Sequence, residues 1–164
     1  MKKTFLPLIV AVIGSTFASA DQVYNYPADE PIFSIAFPDK WQVDAEDEQS
    51  LSAAPEDELA AAELIALDAK DAADAIKEAQ QGLREEFKNL KIDPTQNGEV
   101  NGLKISLFNA TNVDEEGTKI IINCALFVPP KGETYFMLFF VSTPESVQKH
   151  GKDINSILQS VKAK

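Results

Sequence analysis

The sequence predicts an α+β fold: a mostly antiparallel sheet sandwiched between helices in an α/β/α arrangement. Three observations predict it. Two long stretches, Asp71–Leu90 and Thr143–Lys164, repeat apolar residues at three- and four-residue intervals, the period of a one-faced helix. Shorter alternating runs, bounded by turn residues, precede and separate those helices. Two of these runs, "TKIIINCALFV" and "TYFMLFFV", are apolar on both parities, so both faces of their sheet must be covered.

Taken in order, "FSIAF" places Phe33, Ile35 and Phe37 on one parity, and "WQVD" places Trp41 and Val43 on one. Pro38 presets φ and Asp39 can bond its own backbone, so "PDK" reads as a turn and the two runs as a hairpin with one apolar face. The single tryptophan, Trp41, is then a core plug rather than an exposed stacking platform. Residues 44–58 are acidic and loop-like, with a brief strand at "SLSAA". "AELIALD" reads as a strand because a strong helix follows it directly.

That helix, Asp71–Leu90, carries Ala72, Ile76, Ala79, Leu83, Phe87 and Leu90 on one stripe. Asp68 or Asp71 suits its start, and Lys88 and Lys91 its end. Gly82 inside it costs about 1 kcal/mol against alanine, which a close backbone approach would explain. Three strands follow: "EVNGLKISLFNATNV", then "TKIIINCALFV" after the "DEEG" turn, then "TYFMLFFV" after "PPKGE". Thr143 caps the last helix, Pro144 opens it, and Val147, Ile154, Ile157, Leu158 and Val161 form its apolar stripe.

Residues 1–20 have the layout of a secretory signal peptide: Lys2 and Lys3, an apolar run, and small residues before a cleavage site near Ala20. The run is too short for a comfortable membrane span, and no cysteine stands at the cleavage site to take a lipid anchor. Residues 21–31 form an N-terminal lead-in and residues 32–164 one domain. The expected location is periplasmic or secreted. With Lys2 and Lys3 removed, 13 basic residues face 26 acidic ones, a balance of −13. Nucleic acid and anionic lipid would be repelled.

Little in the chain points to catalysis. The only histidine, His150, lies among lysines and reads as a solvated helix-surface imidazole. The only cysteine, Cys124, shares its parity with Ile120, Ile122 and Leu126 and reads as a small buried apolar residue. No serine sits in a G-x-S-x-G elbow. One His and one Cys cannot build a structural zinc site. Calcium needs only oxygens, and the acidic runs Asp44, Glu46, Asp47, Glu48 and Glu56, Asp57, Glu58 offer them. Neither run has the spacing of an EF-hand loop, and a charge run is ordinarily a solvated face. Gly98 and Gly102 read as turn and bulge residues. The sequon at Asn109 reads as coincidence inside a strand.

The run "FSIAFPDKW" near the start and "ILQSVK" near the end resemble the PsbP-like and Mog-like superfamily, including the bacterial DcrB-type periplasmic proteins. The resemblance spans about Phe33 to Lys162. It implies a shared fold and a binding or assembly role, and it transfers no partner-contacting residue.

The expected function is therefore an exported, non-enzymatic binding or accessory protein without a cofactor. Its partner is another envelope protein with a basic surface. Its candidate interaction surface is Asp44, Glu46, Asp47, Glu48, Glu56, Asp57 and Glu58. The alternatives are a calcium or small-ligand binding protein and a carboxylate-based envelope hydrolase, which would need paired acids in a cleft with one pKa raised.

Overall fold

A computed structural model of the chain describes residues 21–45, 50–128 and 134–164. The expected signal peptide, Glu46, Asp47 and Glu48, and the expected turn "PPKGE" lie outside the described residues.

Strands β1 (Gln22–Tyr26), β2 (Phe33–Phe37) and β11 (Lys162–Ala163) form a small sheet in the order β1-β2-β11. The large sheet runs β3 (Trp41–Asp44), β4 (Ser50–Pro55), β5 (Ala60–Leu67), β10 (Tyr135–Ser142), β9 (Lys119–Phe127), β8 (Leu103–Val113) and β6 (Lys91–Ile92). Strand β7 (Gln96–Val100) also pairs with β8. All described strand pairs are antiparallel. The two helices are α1 (Ala72–Glu86) and α2 (Pro144–Ser160).

The two-sided strands are covered as their pattern requires. On one face, Ala75, Ala79 and Leu83 of α1 pack with Ile122, Cys124, Leu126, Met137 and Phe139. On the other, Phe33, Ile35, Phe37 and Trp41 pack with Ala125, Phe127, Phe136, Leu138 and Phe140, and Ile157 of α2 and Val161 just past its end join them. Each large apolar side chain so buried contributes about 1.5–3 kcal/mol. Phe33 joins the two sheets directly, with ring centroids 6.1 Å from Phe127 and 5.2 Å from Phe136.

The hairpin expected around Pro38 is absent. Strand β2 pairs with β1 and β11, whereas β3 pairs with β4. The turn, closed by Trp41 N–H to the Pro38 carbonyl at 2.8 Å, carries the chain from one sheet to the other. The alternation correctly puts Phe33, Ile35, Phe37 and Trp41 inside, because the interior lies between the sheets. It carries no information about which strands share a ladder. The lead-in 21–31 holds β1, with Tyr26 buried in the core.

Three further boundaries differ. The expected strand "EVNGLKISLFNATNV" is a hairpin of β7 and β8, turned at Asn101 and Gly102 with φ of +49° and +82°. Both positive φ values are what a two-residue hairpin turn needs. Helix α1 ends at Glu86, although Phe87 and Leu90 still pack on its core. Helix α2 ends at Ser160 rather than running to Lys164, and the last residues return as β11. Gly82 is exposed, and a Cβ there would meet nothing within 4 Å, so no close backbone approach explains it.

Candidate binding site

Helix α2 positions the site, and its sequence explains how. Thr143 accepts from Ser146 N–H, and Pro144 follows at the first helical position. At the other end, Asn101 Nδ2 donates to the carbonyls of Gln159 and Val161, each at 2.7 Å, satisfying groups a helix end leaves open. Ser160 Oγ accepts from Ala36 N–H at 2.8 Å and ties the last turn to β2.

One flank of α2 is held by a polar cluster. His150 Nε2 lies 3.0 Å from both oxygens of Asp57, in the turn between β4 and β5. A carboxylate only accepts, so Nε2 carries the hydrogen. Lys149 pairs with the same Asp57. Asp153 lies 3.2 Å from Lys40 Nζ and 3.8 Å from His150 Nδ1. The edge of Trp41 meets the imidazole, with centroids 6.3 Å apart and planes at 87°. His150 is only 4% exposed, which overturns the solvated-imidazole expectation. Its periodicity held the signal: Ser146, His150 and Ile157 repeat on the inner face at helical spacing. Lys149 beside Asp57 holds that carboxyl well below the usual carboxylate range, against the opposing effect of desolvation.

The other flank stands open. Val147, Ile154 and Leu158 of α2 line a groove of about 570 Å³ with Leu107, Ala125 and Phe140 of the sheet. The expected apolar stripe is thus split: Ile157 and Val161 are in the core, while Val147 is 38% exposed at the groove. Amides line the groove as well: Asn109, Asn123, Asn155 and Gln96. Asn109 and Asn123 are directly opposed on β8 and β9, and Asn123 Nδ2 donates to Asn109 Oδ1 at 2.9 Å. The volume falls in the range of small-ligand clefts.

The predicted site residues are dispersed. Glu56 and Glu58 are exposed, and Asp57 serves the cluster. Asp44 edges a separate hollow on the α1 face, with Glu63 and Glu86. The register Asp44↔Ser52 and Trp41↔Pro55 puts Asp44 and the 56–58 turn at opposite ends of the β3–β4 pair. Among the described residues no three His, Cys, Asp or Glu side chains gather as a metal cage. Burial pushes the Cys124 thiol up to about 12, in keeping with an apolar role. The sequence does hold one S-x-x-K spacing, Ser146 and Lys149. Ser146 is fully buried and Lys149 is engaged by Asp57, so the pair does not form an accessible nucleophile and base.

No family model matches the chain, and no curated protein matches it. Solved structures do. Cyanobacterial PsbP (CyanoP) from Synechocystis aligns over 94% of this chain and 99% of its own, at TM-score 0.62 and 8% identity. The Saccharomyces cerevisiae Ran-binding protein Mog1p aligns over 88% and 95%, at 0.58 and 9%. This is the PsbP/Mog-like fold. LpqN of Mycobacterium tuberculosis, described as involved in cell envelope biogenesis, shares it over 87% and 90%, at 0.51 and 12% identity. A Bacteroides thetaiotaomicron structure matches 87% of this chain at 0.57 and 18% identity, and the chain spans about half of its length, 48%. At these identities the likeness establishes the fold alone.

Proposed function

We propose that the chain is an exported, non-enzymatic accessory protein of the cell envelope that works by binding. The observation that carries this reading is the open flank of α2. The fold buries two cores fully, yet it leaves a groove with apolar walls and amide groups beside a helix that is rigidly pinned on its other side. Mog1p, which shares the fold, is a Ran-binding protein, and LpqN is involved in cell envelope biogenesis. The layout of residues 1–20 supports export. The acidic balance suits an envelope partner with a basic surface, reached through Glu56 and Glu58 on the exposed turn beside α2.

The test has two readouts. N-terminal sequencing of the protein from fractionated cells should begin at Asp21. A photo-crosslinking residue at Glu58 should capture one envelope protein in intact cells, and the Glu56→Lys/Glu58→Lys variant should lose that capture. Cytoplasmic retention, or capture indifferent to charge reversal, would overturn the respective part.

The groove also favours a second reading, a small-ligand binding protein, since its volume and lining match such clefts.

A further inference from the structure

The geometry points to a neutral amphiphile as the ligand of the α2 groove: an apolar body between α2 and the sheet, and an uncharged hydroxyl or amide head at Asn109 and Asn123. This deepens the second reading above and rests on it.

The apolar part follows from the walls. The exposed Val147 and the half-buried Ile154, Leu158 and Leu107 line a space of about 570 Å³, with the buried Ala125 and Phe140 also in its lining. Such surface is stabilised by contact with another apolar group, at about 25 cal/mol per Å². The absent side chain at Gly151 keeps the cleft open. A Cβ there would meet only Val147 Cγ1, at 3.9 Å. A glycine within a helix costs about 1 kcal/mol against alanine, and here it contributes room.

The neutral head follows from the polar groups. No Lys or Arg is among the lining residues, so an anion would find no counter-charge, on a chain whose net charge is already −11. The one ionisable carboxyl in the lining, Asp93, is exposed, and an ion pair in water is worth little. Asn109 and Asn123 use one donor and one acceptor on each other. Each amide offers two N–H donors and a carbonyl, which leaves the Asn109 NH₂ and the Asn123 carbonyl for a ligand. A hydroxyl both donates and accepts and satisfies the two together. An extended peptide fits poorly, because β8 is already paired by β9 on one side and by β6 and β7 on the other.

The experiment uses two dyes that share one ring system. N-phenyl-1-naphthylamine is neutral, and 1-anilinonaphthalene-8-sulfonate adds a sulfonate. The purified protein should bind the neutral dye at one site, at least tenfold tighter than the sulfonate. Decan-1-ol should displace it at least tenfold better than decanoate, and Asn123→Leu should erase most of that advantage. Gly151→Leu fills the cleft while improving helix propensity, so it should weaken dye binding at least tenfold with no loss in urea midpoint. Absence of saturable binding, or binding untouched by Gly151→Leu, would overturn the site. Equal affinity for the two dyes would overturn the neutral head. Capture of a partner at Glu58 is independent of these readouts, so the accessory reading and the ligand can fail separately.

Discussion

His150 Nε2 lies 3.0 Å from both carboxylate oxygens of Asp57, a residue far away in the chain and on a different element. This contact, with Lys149 on the same carboxylate, fastens the first half of α2 to the turn between β4 and β5.

The pairing sets an acid dependence. The Asp57 carboxyl is held below its usual range, first by Lys149. Its contribution to stability is therefore whole above the ordinary Asp pKa of about 3.9 and is lost as pH falls below that towards the depressed value. Urea midpoints measured from pH 6 down to pH 2.5 should fall more steeply for the wild type than for Asp57→Asn. At pH 6 the variant should be the less stable of the two. Parallel curves would remove Asp57 from the acid response.

Asn101 caps α2 from the β7–β8 turn. Asn101→Ala removes two hydrogen bonds of 2.7 Å and places alanine at φ +49°. At about 1 kcal/mol for each bond and 1–2 kcal/mol for the left-handed backbone, the loss should be about 3–4 kcal/mol. Asn101→Gly relieves the backbone and should lose less. Hydrogen exchange in the last turn of α2 should accelerate in both variants. An effect spread evenly over the molecule would contradict the cap.

Gly82 offers the opposite sign. It is exposed in the middle of α1, and its surroundings leave space for a Cβ. Gly82→Ala should stabilise the protein by about 1 kcal/mol through helix propensity alone, read as a higher urea midpoint with an unchanged m-value.

Cys124 should be chemically silent until the chain unfolds. It is 3% exposed, and its thiol is pushed up to about 12, so almost no thiolate forms at pH 8. Labelling by a disulfide reagent should be slow in buffer and complete in denaturing urea. Rapid native labelling would contradict the packing of β9 against α1.

Residues whose fate depends on burial were legible in the sequence. The two-faced strands, the inward Phe33, Ile35, Phe37 and Trp41, the start of α1 at Asp71 and the Thr143–Pro144 start of α2 all follow from local pattern. Strand pairing was not, because alternation is the same whether β2 pairs with β3 or with β1. Gly102 is legible as a turn or bulge residue, but the alternation on both sides of it also reads as one continuous strand, so the hairpin itself is not. The groove and the His150 cluster arise from how α2 sits across strands distant in sequence. Only the helical spacing of Ser146, His150 and Ile157 hinted that His150 faces inward.

Trp41 joins the core to that cluster, and its removal should expose both roles. The indole is 1% exposed, lies within the core shared by the two sheets, and touches His150 edge-on. Trp41→Ala should cost about 3–5 kcal/mol, the range for emptying a large aromatic site. Trp41→Phe should cost less, because most of the volume is kept. In the wild type the single indole should emit at short wavelength and resist acrylamide quenching. His150→Ala takes away the edge contact and frees Asp57 from its buried partner, so it should shift that emission without unfolding the protein. If the emission is already that of a solvated indole, the junction between core and cluster is wrongly placed, and with it the rigid flank of α2 on which the groove depends.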